Sequence, residues 1–503
     1  MEIILAVFKG LLSFDTVFIT LLGAVLGVVF GAIPGLNGSI CIAILLPATY
    51  GLSSVHSLLL LGAIYMGSSY GGSISGILIN VPGSSEAACT AIEGYAMAKK
   101  GRGREALYYS ILSSVFGGFC GVLVLIFFAP LLAGIALRFG PPEMFLIAVV
   151  GLAVVGSLSG TGLMKGCFAT LFGVFLSMVG VDSLTGHTRL TFGIAPLSSG
   201  IGLIPAIVGF FALAEMVRQC DGAGQNQEEG AVALERIRVM EVVRKLTVKM
   251  ATLIKSTLIG IWIGILPGTG GAISSFVSYG EAKRNCKEGE VPFGEGNESG
   301  IIAAESSNNA AVGGSLIPLL ALGIPGSATA AIIYSAILIH GITPGPKLFG
   351  ETPELAYSFT IGMLFAVLAM GVIGICGVPL FSQILKIKIR YIIPVVIISS
   401  LIGAYSARNS VYDVVIAIIC GFLGVIFSRC GIPSPPILLG LILGNLIEVN
   451  LRNSMLIAGA KGISVFQYMF TRPLSIAVVL LAVLMFVGNF KTTAKSGKMK
   501  PEK

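Results

Sequence analysis

Charge is scarce in this 503-residue sequence: Asp, Glu, Lys and Arg together make up 11% of it, against 55% hydrophobic residues. A water-soluble fold cannot cover that much apolar surface, so soluble architectures are excluded. There is one Trp, and the three His (His56, His187 and His340) are isolated and form no His-Glu-x-x-His pattern, which disfavours a zinc protease. The nine Cys, at positions 41, 89, 120, 167, 220, 286, 376, 420 and 430, give neither a disulfide framework nor metal-ligand spacing. No glycine-rich stretch ends in the Gly-Lys-Ser/Thr of a P-loop or has the strand context of a dinucleotide fold. Met1 to Phe14 lacks the basic start and small-residue cleavage site of a signal peptide. The sequence therefore predicts no enzyme and no cofactor.

Nor does the formal charge of +8 point to nucleic acid. Lys491, Lys495, Lys498, Lys500 and Lys503 against Glu502 supply a net four of it, and no concentrated basic face or stacking platform is present. This basic balance reads as membrane topology or contact with anionic membrane lipids.

What the sequence does contain is one apolar run after another. The pattern predicts an all-α polytopic membrane protein with about 12 to 15 membrane segments, re-entrant hairpins included. A polar stretch at 218–250, with five acids and six Lys or Arg, separates two groups of segments. We expect an interfacial segment at 1–16, a first transmembrane repeat at 17–217, this linker on the cytoplasmic side, and a second repeat at 251–453. A membrane segment at 454–490 and a basic cytoplasmic tail at 491–503 complete the chain.

The repeat is legible in short motifs. Gly31-Ala32-Ile33-Pro34-Gly35-Leu36-Asn37-Gly38 returns as Gly264-Ile265-Leu266-Pro267-Gly268-Thr269-Gly270-Gly271, 233 positions later. Gly71-Gly72-Ser73 aligns with Gly313-Gly314-Ser315 at an offset of 242, and Pro82-Gly83-Ser84 with Pro325-Gly326-Ser327 at 243. Such collinearity is the mark of duplication. Basic loops fall at different places in the two copies: Lys99, Lys100, Arg102 and Arg104 in the first, Lys386, Lys388 and Arg390 in the second. By the positive-inside rule, the copies are predicted to have inverted topologies, an arrangement characteristic of secondary transporters.

Each Pro-Gly interruption frees backbone groups that hydrocarbon cannot satisfy, so it must face protein, water or a polar solute. Helices restarting after it would offer N–H groups and a favourable dipole to an anion. The candidate carboxylate site is therefore Pro34, Gly35, Asn37, Gly38, Ser39, Pro82, Gly83 and Ser84 from the first copy. The second contributes Pro267, Gly268, Thr269, Gly270, Gly271, Pro325, Gly326 and Ser327. The competing reading is that these motifs are kinks and tight helix crossings.

Glu305, Ser306, Asn308 and Asn309 open an otherwise apolar segment. A carboxylate and carboxamide oxygens suit a hard cation, with sodium at Glu305 and Asn309, four residues apart on one helical face. Helix caps and interhelical hydrogen bonds are the structural alternative. Glu86 and Glu93 follow the first copy's second break. Residence in a loop is their simpler reading, and a coupling-ion contact at Glu86 is the functional one.

At these motifs the chain resembles the large permease subunit of the tripartite tricarboxylate transporter family, over roughly residues 15 to 455. The resemblance is carried by the two Pro-Gly octets, Tyr70-Gly71-Gly72-Ser73, Glu93-Gly94, Phe293-Gly294-Glu295-Gly296, Glu305-Ser306-Ser307-Asn308-Asn309 and Gly341-Ile342-Thr343-Pro344-Gly345-Pro346. Leu36-Asn37 departs from the family's more usual Thr-Gly. The resemblance implies secondary uptake of tricarboxylates or related carboxylates across a bacterial cytoplasmic membrane, driven by sodium or protons. It also implies a small membrane subunit and an extracytoplasmic substrate-binding protein as partners. A carboxylate-selective channel and a non-transporting structural component are the alternatives.

Overall fold

The computed structural model describes residues 2–158, 163–182, 185–222, 237–286, 289–381 and 389–480. Its first helices are α1 (Glu2–Leu11), α2 (Phe14–Ala32), α3 (Gly38–Leu45), α4 (Ser54–Ile79), α5 (Ala88–Lys99) and α6 (Gly103–Ala136). After α7 (Pro141–Leu158) and α8 (Leu163–Ser177), a two-stranded ribbon, β1 (Gly180–Val181) with β2 (Thr188–Arg189), leads into α9 (Leu203–Ile207), a π-helical stretch at Val208–Leu213 and α10 (Ala214–Gly222). The second group is α11 (Val239–Val248), α12 (Met250–Ile265), α13 (Gly270–Arg284), α14 (Glu298–Leu322), α15 (Ala328–Ile339), α16 (Leu348–Glu351) and α17 (Pro353–Gly377). The described chain closes with α18 (Ile389–Arg408), α19 (Val411–Arg429), α20 (Ser434–Ala460) and α21 (Val465–Phe470).

Among the described residues, six helices are long and apolar enough to cross a membrane, or seven if α11 and α12, bent by 81° at their junction, form one span. Shorter apolar helices, including Ala328–Ile339, accompany them. The expected count of 12 to 15 also took in shorter apolar helices and the long α4 and α14, which are not among these six. Large apolar side chains such as Trp262, Phe127 and Phe422 are 68 to 75% exposed, which suits a surface bathed in lipid. The protein is a predominantly helical, multi-pass membrane protein. The second part of the polar stretch at 218–250 forms α11, and residues 223–236 lie outside the described residues. Lys386, Lys388, residues 481–490 of the terminal segment and the whole basic tail also lie outside them.

Two helices, α4 and α14, are buried along almost their whole length. Glycines on their neighbours make this possible. A Cβ at Gly23, Gly27 or Gly31 of α2 would lie 2.6, 2.5 and 2.7 Å from the carbonyl oxygens of Leu60, Ile64 and Ser68. Only hydrogen fits there, so α2 and α4 pack backbone against backbone. The contacts advance together, which makes the two helices parallel. His56 Nε2 lies 3.1 Å from Thr16 Oγ1, so the two helices also start side by side. The chain leaving α2 must therefore return through α3 and the 3₁₀ turn at Pro47–Gly51 before α4 begins.

The second group repeats this construction. Gly260 and Gly264 of α12 sit against the carbonyls of Ser307 and Ala311 in α14, again in parallel. These contacts correct one register read from sequence. Gly31 meets Gly71, whereas Gly264 meets Gly314, so Gly71 corresponds to Gly314 at an offset of 243 rather than to Gly313. Matching the Gly-Gly letters slipped the alignment by one because the packing selects whichever small residue touches the facing backbone. The same offset relates the left-handed residues that end α4 and α14, Asn80 (φ 56°) and Gly323 (φ 73°). It also relates the bonds Gly83 N to Gly72 O and Gly326 N to Ser315 O, 3.0 and 3.1 Å.

Between the groups, α4 and α14 cross in opposite directions. Tyr65, Ser69 and Ser73 face Ser315, Asn308 and Glu305 in turn.

Candidate functional site

All four interruptions reach one cavity of about 530 Å³. Its lining includes Asn37, Gly38 and Ser39 at the start of α3, Ser84, Ser85 and Glu86 before α5, Gly268, Thr269 and Gly270 at the start of α13, and Ser327, Ala328 and Thr329 at the start of α15. Positive φ angles at Gly35 (82°), Gly268 (74°) and Gly270 (62°) let the chain reverse at the two hairpin tips, a conformation glycine adopts without Cβ strain.

Two of the restarting helices, α3 and α15, are capped by side chains. Asn37 Oδ1 accepts from Ile40 N at 3.0 Å and Ser327 Oγ from Ala330 N at 3.1 Å. Ser84 Oγ receives a longer bond from Ala87 N, 3.4 Å. A cap satisfies one of the first-turn donors; the others have no intrahelical acceptor and remain for a solute. The two groups are stitched at this point: Ser39 Oγ lies 2.7 Å from Thr329 Oγ1, and Tyr65 OH lies 2.7 Å from Ser327 Oγ and 3.0 Å from Ser315 Oγ. The opposite wall is apolar, with Phe211 of the π stretch and Pro433, Pro435, Pro436 and Leu439 at the start of α20.

One electrostatic fact dominates. Among the described residues, Glu86 is the single carboxylate of the lining, and no Lys, Arg or His shares the cavity. An anion entering it would meet helix N–H groups, hydroxyls and a negative side chain.

The remaining sequence candidates fall outside that lining. Gly35 packs against Gln219, and Gly83 and Gly326 sit on the carbonyls of Gly31 and Gly264, so these glycines make helix contacts. Pro34, Pro82, Pro267 and Pro325 shape the breaks without lining the cavity. Thr269 lines it, but its hydroxyl donates back to the carbonyls of Ile263 and Leu266 at the end of α12. Gly271 lies just behind it, against Asn308 and Glu86.

The four cation-site candidates on α14 divide between faces. Glu305 is fully buried and accepts hydrogen bonds from Ser73, Thr90 and Ser114, the last at 2.7 Å. Asn309 donates to Met66 O at 3.3 Å and packs beside Gly118 of α6. Ser306, also buried, has its carbonyl against Gly117. Asn308 turns the other way, donating to Ser69 O at 2.9 Å. Glu305 and Asn309 do share a helical face, but it is packed against protein and does not open on the cavity.

Sequence reasoning missed Tyr65, Ser68, Ser69, Ser85 and Thr329 as lining, along with the Phe211 and proline wall. Pro433-Ser434-Pro435-Pro436 carried a usable signal, because proline belongs in a helix's first turn. It also gave no hint of what Glu93 does. This fully buried carboxylate accepts from Tyr279 OH (2.7 Å) and from the backbone N–H groups of Gly294, Gly296 and Asn297 (2.6, 2.8 and 2.8 Å). It thereby fastens α5 to the loop that feeds α14.

Comparison with known proteins gives a consistent result. The model of the tripartite tricarboxylate transporter TctA family matches residues 17–439. A protein of Agrobacterium vitis, described as an uncharacterised 52.8 kDa protein in the TAR-I ttuC' 3' region, is 38% identical over 440 residues, 87% of this chain and 86% of its own length. A second protein of that organism, from the TAR-II ttuC' 3' region, is 37% identical over 199 residues, 40% of this chain and 82% of its own length. No solved structure matches.

Proposed function

The chain belongs to the tripartite tricarboxylate transporter TctA family, whose members are transporters and not enzymes, and from this we infer that it is the large permease subunit of a cation-gradient-driven carboxylate importer. Its substrate would be a tricarboxylate or a related carboxylate. It would work in a bacterial inner membrane beside a small membrane subunit and an extracytoplasmic substrate-binding protein. In this reading the polar linker and basic tail are cytoplasmic, residues 17–217 and 251–453 are repeats of inverted topology, and the two hairpin tips are re-entrant.

The convergence of four helix starts, two from each half, on one cavity is the observation that carries this reading. Each start presents N–H groups and the positive end of a helix dipole, so a multiply charged carboxylate can be held without a buried Arg. The parallel packing of α2 with α4 and of α12 with α14, set against the antiparallel crossing of α4 with α14, supports the inverted arrangement. Two such halves around a central site are suited to alternating access.

Moving a trianion toward a negative interior opposes the membrane potential by about 2.3 kcal/mol per charge per 100 mV, so coupled cations must carry the balance. The test is citrate uptake by proteoliposomes containing the chain and its partner subunits, under imposed sodium or proton gradients. Accumulation above the external concentration supports the importer. Flux that only equilibrates citrate supports a channel instead. Absence of flux with correctly assembled subunits would assign the chain a structural role.

A further inference from the structure

We propose that Glu86 and Asn308, on either side of Gly271, form the seat of a sodium-sized monovalent cation at the edge of the cavity. The proposal rests on the reading above and gives it a specific coupling site.

Asn308 is 1% exposed. Its amide group faces Ser69 O, which can only accept, so the NH₂ end is fixed there at 2.9 Å and Oδ1 points away. That oxygen has no hydrogen-bond partner. A Cβ placed on Gly271 would lie 2.2 Å from Asn308 Oδ1 and 3.1 Å from Cγ of Glu86, so the amide oxygen and the Glu86 side chain flank the same glycine. Ionised Glu86 and Asn308 Oδ1 can each only accept, so neither satisfies the other. A buried carboxylate beside an unpartnered amide oxygen is unfavourable unless something positive lies near both.

The surroundings supply nothing positive. Among the described residues the cavity lining has no Lys, Arg or His, and Gly271 O already accepts from Ser274 Oγ at 2.8 Å. A proton on Glu86 would satisfy Asn308 Oδ1 but would leave a bound anion with no positive centre beside it. A metal ion does both: it bridges the two oxygens and remains a charge for the anion to approach. Hard oxygen ligands with one formal negative charge fit a monovalent ion such as sodium better than a divalent one. Glycine at 271 is what leaves room for it.

The test uses the purified full-length protein in detergent, with ²²Na⁺ binding as the readout and NaCl-dependent thermal stabilisation, measured against choline chloride, as the second. Saturable sodium binding is expected. Glu86→Gln and Asn308→Ala should each weaken it by at least about tenfold, and Asn308→Asp, which keeps the oxygen, should retain it. Asn309→Ala should bind sodium as the unmodified protein does. Monodisperse elution and an independent melting transition establish that each variant is folded. Sodium affinity in Glu86→Gln or Asn308→Ala equal to that of the unmodified protein would overturn the site, as would the absence of sodium binding by the unmodified protein. Citrate uptake driven by protons alone would also overturn it while leaving the importer reading standing. Sodium binding with these mutant effects but no citrate transport would leave the cation site and sink the importer.

Discussion

Glu305 and Glu86 are both acids inside the helical bundle, yet their surroundings are opposite. Glu305 is enclosed on α14 with hydroxyls of Ser73, Thr90 and Ser114 donating to it. Glu86 lines a cavity with no cationic side chain among the described residues, and it flanks Gly271 together with an amide oxygen that has no partner. A buried acid that its own protein has already satisfied fixes helices together, whereas one left in need of a positive partner is available for chemistry. Intramembrane position alone does not distinguish the two cases.

The largest effect that would break this contrast is on transport. Glu86→Gln in the reconstituted system should reduce sodium-driven citrate uptake by about two orders of magnitude or more, because it removes the charge that holds the coupling ion. Glu305→Gln should retain a substantial fraction of uptake, measured by the same initial rates. If the two variants reverse this order, the cavity has been assigned to the wrong acid. Gly271→Val sharpens the same point, since its side chain would occupy the space between Asn308 and Glu86. Sodium-driven uptake should be lost in a protein that still elutes as a single species.

Next come effects on stability. Glu93→Ala strips the acceptor from Tyr279 and three backbone N–H groups at once. An orphaned buried donor costs about 1–3 kcal/mol, so the thermal midpoint should fall by more than in any single-hydroxyl deletion. Glu305→Leu leaves three buried hydroxyls without their acceptor and should also lower the midpoint, but by less, because a hydroxyl can rotate to a nearby carbonyl and a backbone amide cannot. Sodium affinity should remain within about twofold in both variants, which separates a structural carboxylate from a coupling one.

Much of the cavity was legible in the sequence because Pro and Gly announce where helices stop. Pro34-Gly35, Pro82-Gly83, Pro267-Gly268 and Pro325-Gly326 all lie at helix interruptions, and nine of the residues named from them or beside them, among them Asn37, Ser39, Glu86 and Ser327, line it. The orientation of α14 was not legible. Helical spacing puts Glu305 and Asn309 on one face and Asn308 on another, but it cannot say which face meets α6 and which meets Gly271, because that depends on glycines elsewhere in the chain. The same ignorance of neighbours produced the one-residue slip at Gly313 and hid the role of Glu93, whose partners lie about 200 positions away. Pro433-Ser434-Pro435-Pro436 marks the start of α20, but nothing in an apolar sequence says whether such a start faces a cavity or lipid, so this wall was missed.

The smallest effect, and the most informative about how the halves cooperate, concerns Ser39 and Thr329. Their hydroxyls meet at 2.7 Å between α3 and α15, so they join the first half to the second at the cavity itself. Hydrogen bonds between membrane helices average about 0.6 kcal/mol in double-mutant cycles, so Ser39→Ala and Thr329→Ala should each shift the melting midpoint only slightly. Their coupling should be largest without substrate and shrink when citrate is added, because an anion at the same helix starts competes for both hydroxyls as donors. Coupling unchanged by citrate would mean that the substrate does not reach these two helix starts, and the carboxylate site would have to be moved toward Ser84 and Gly270.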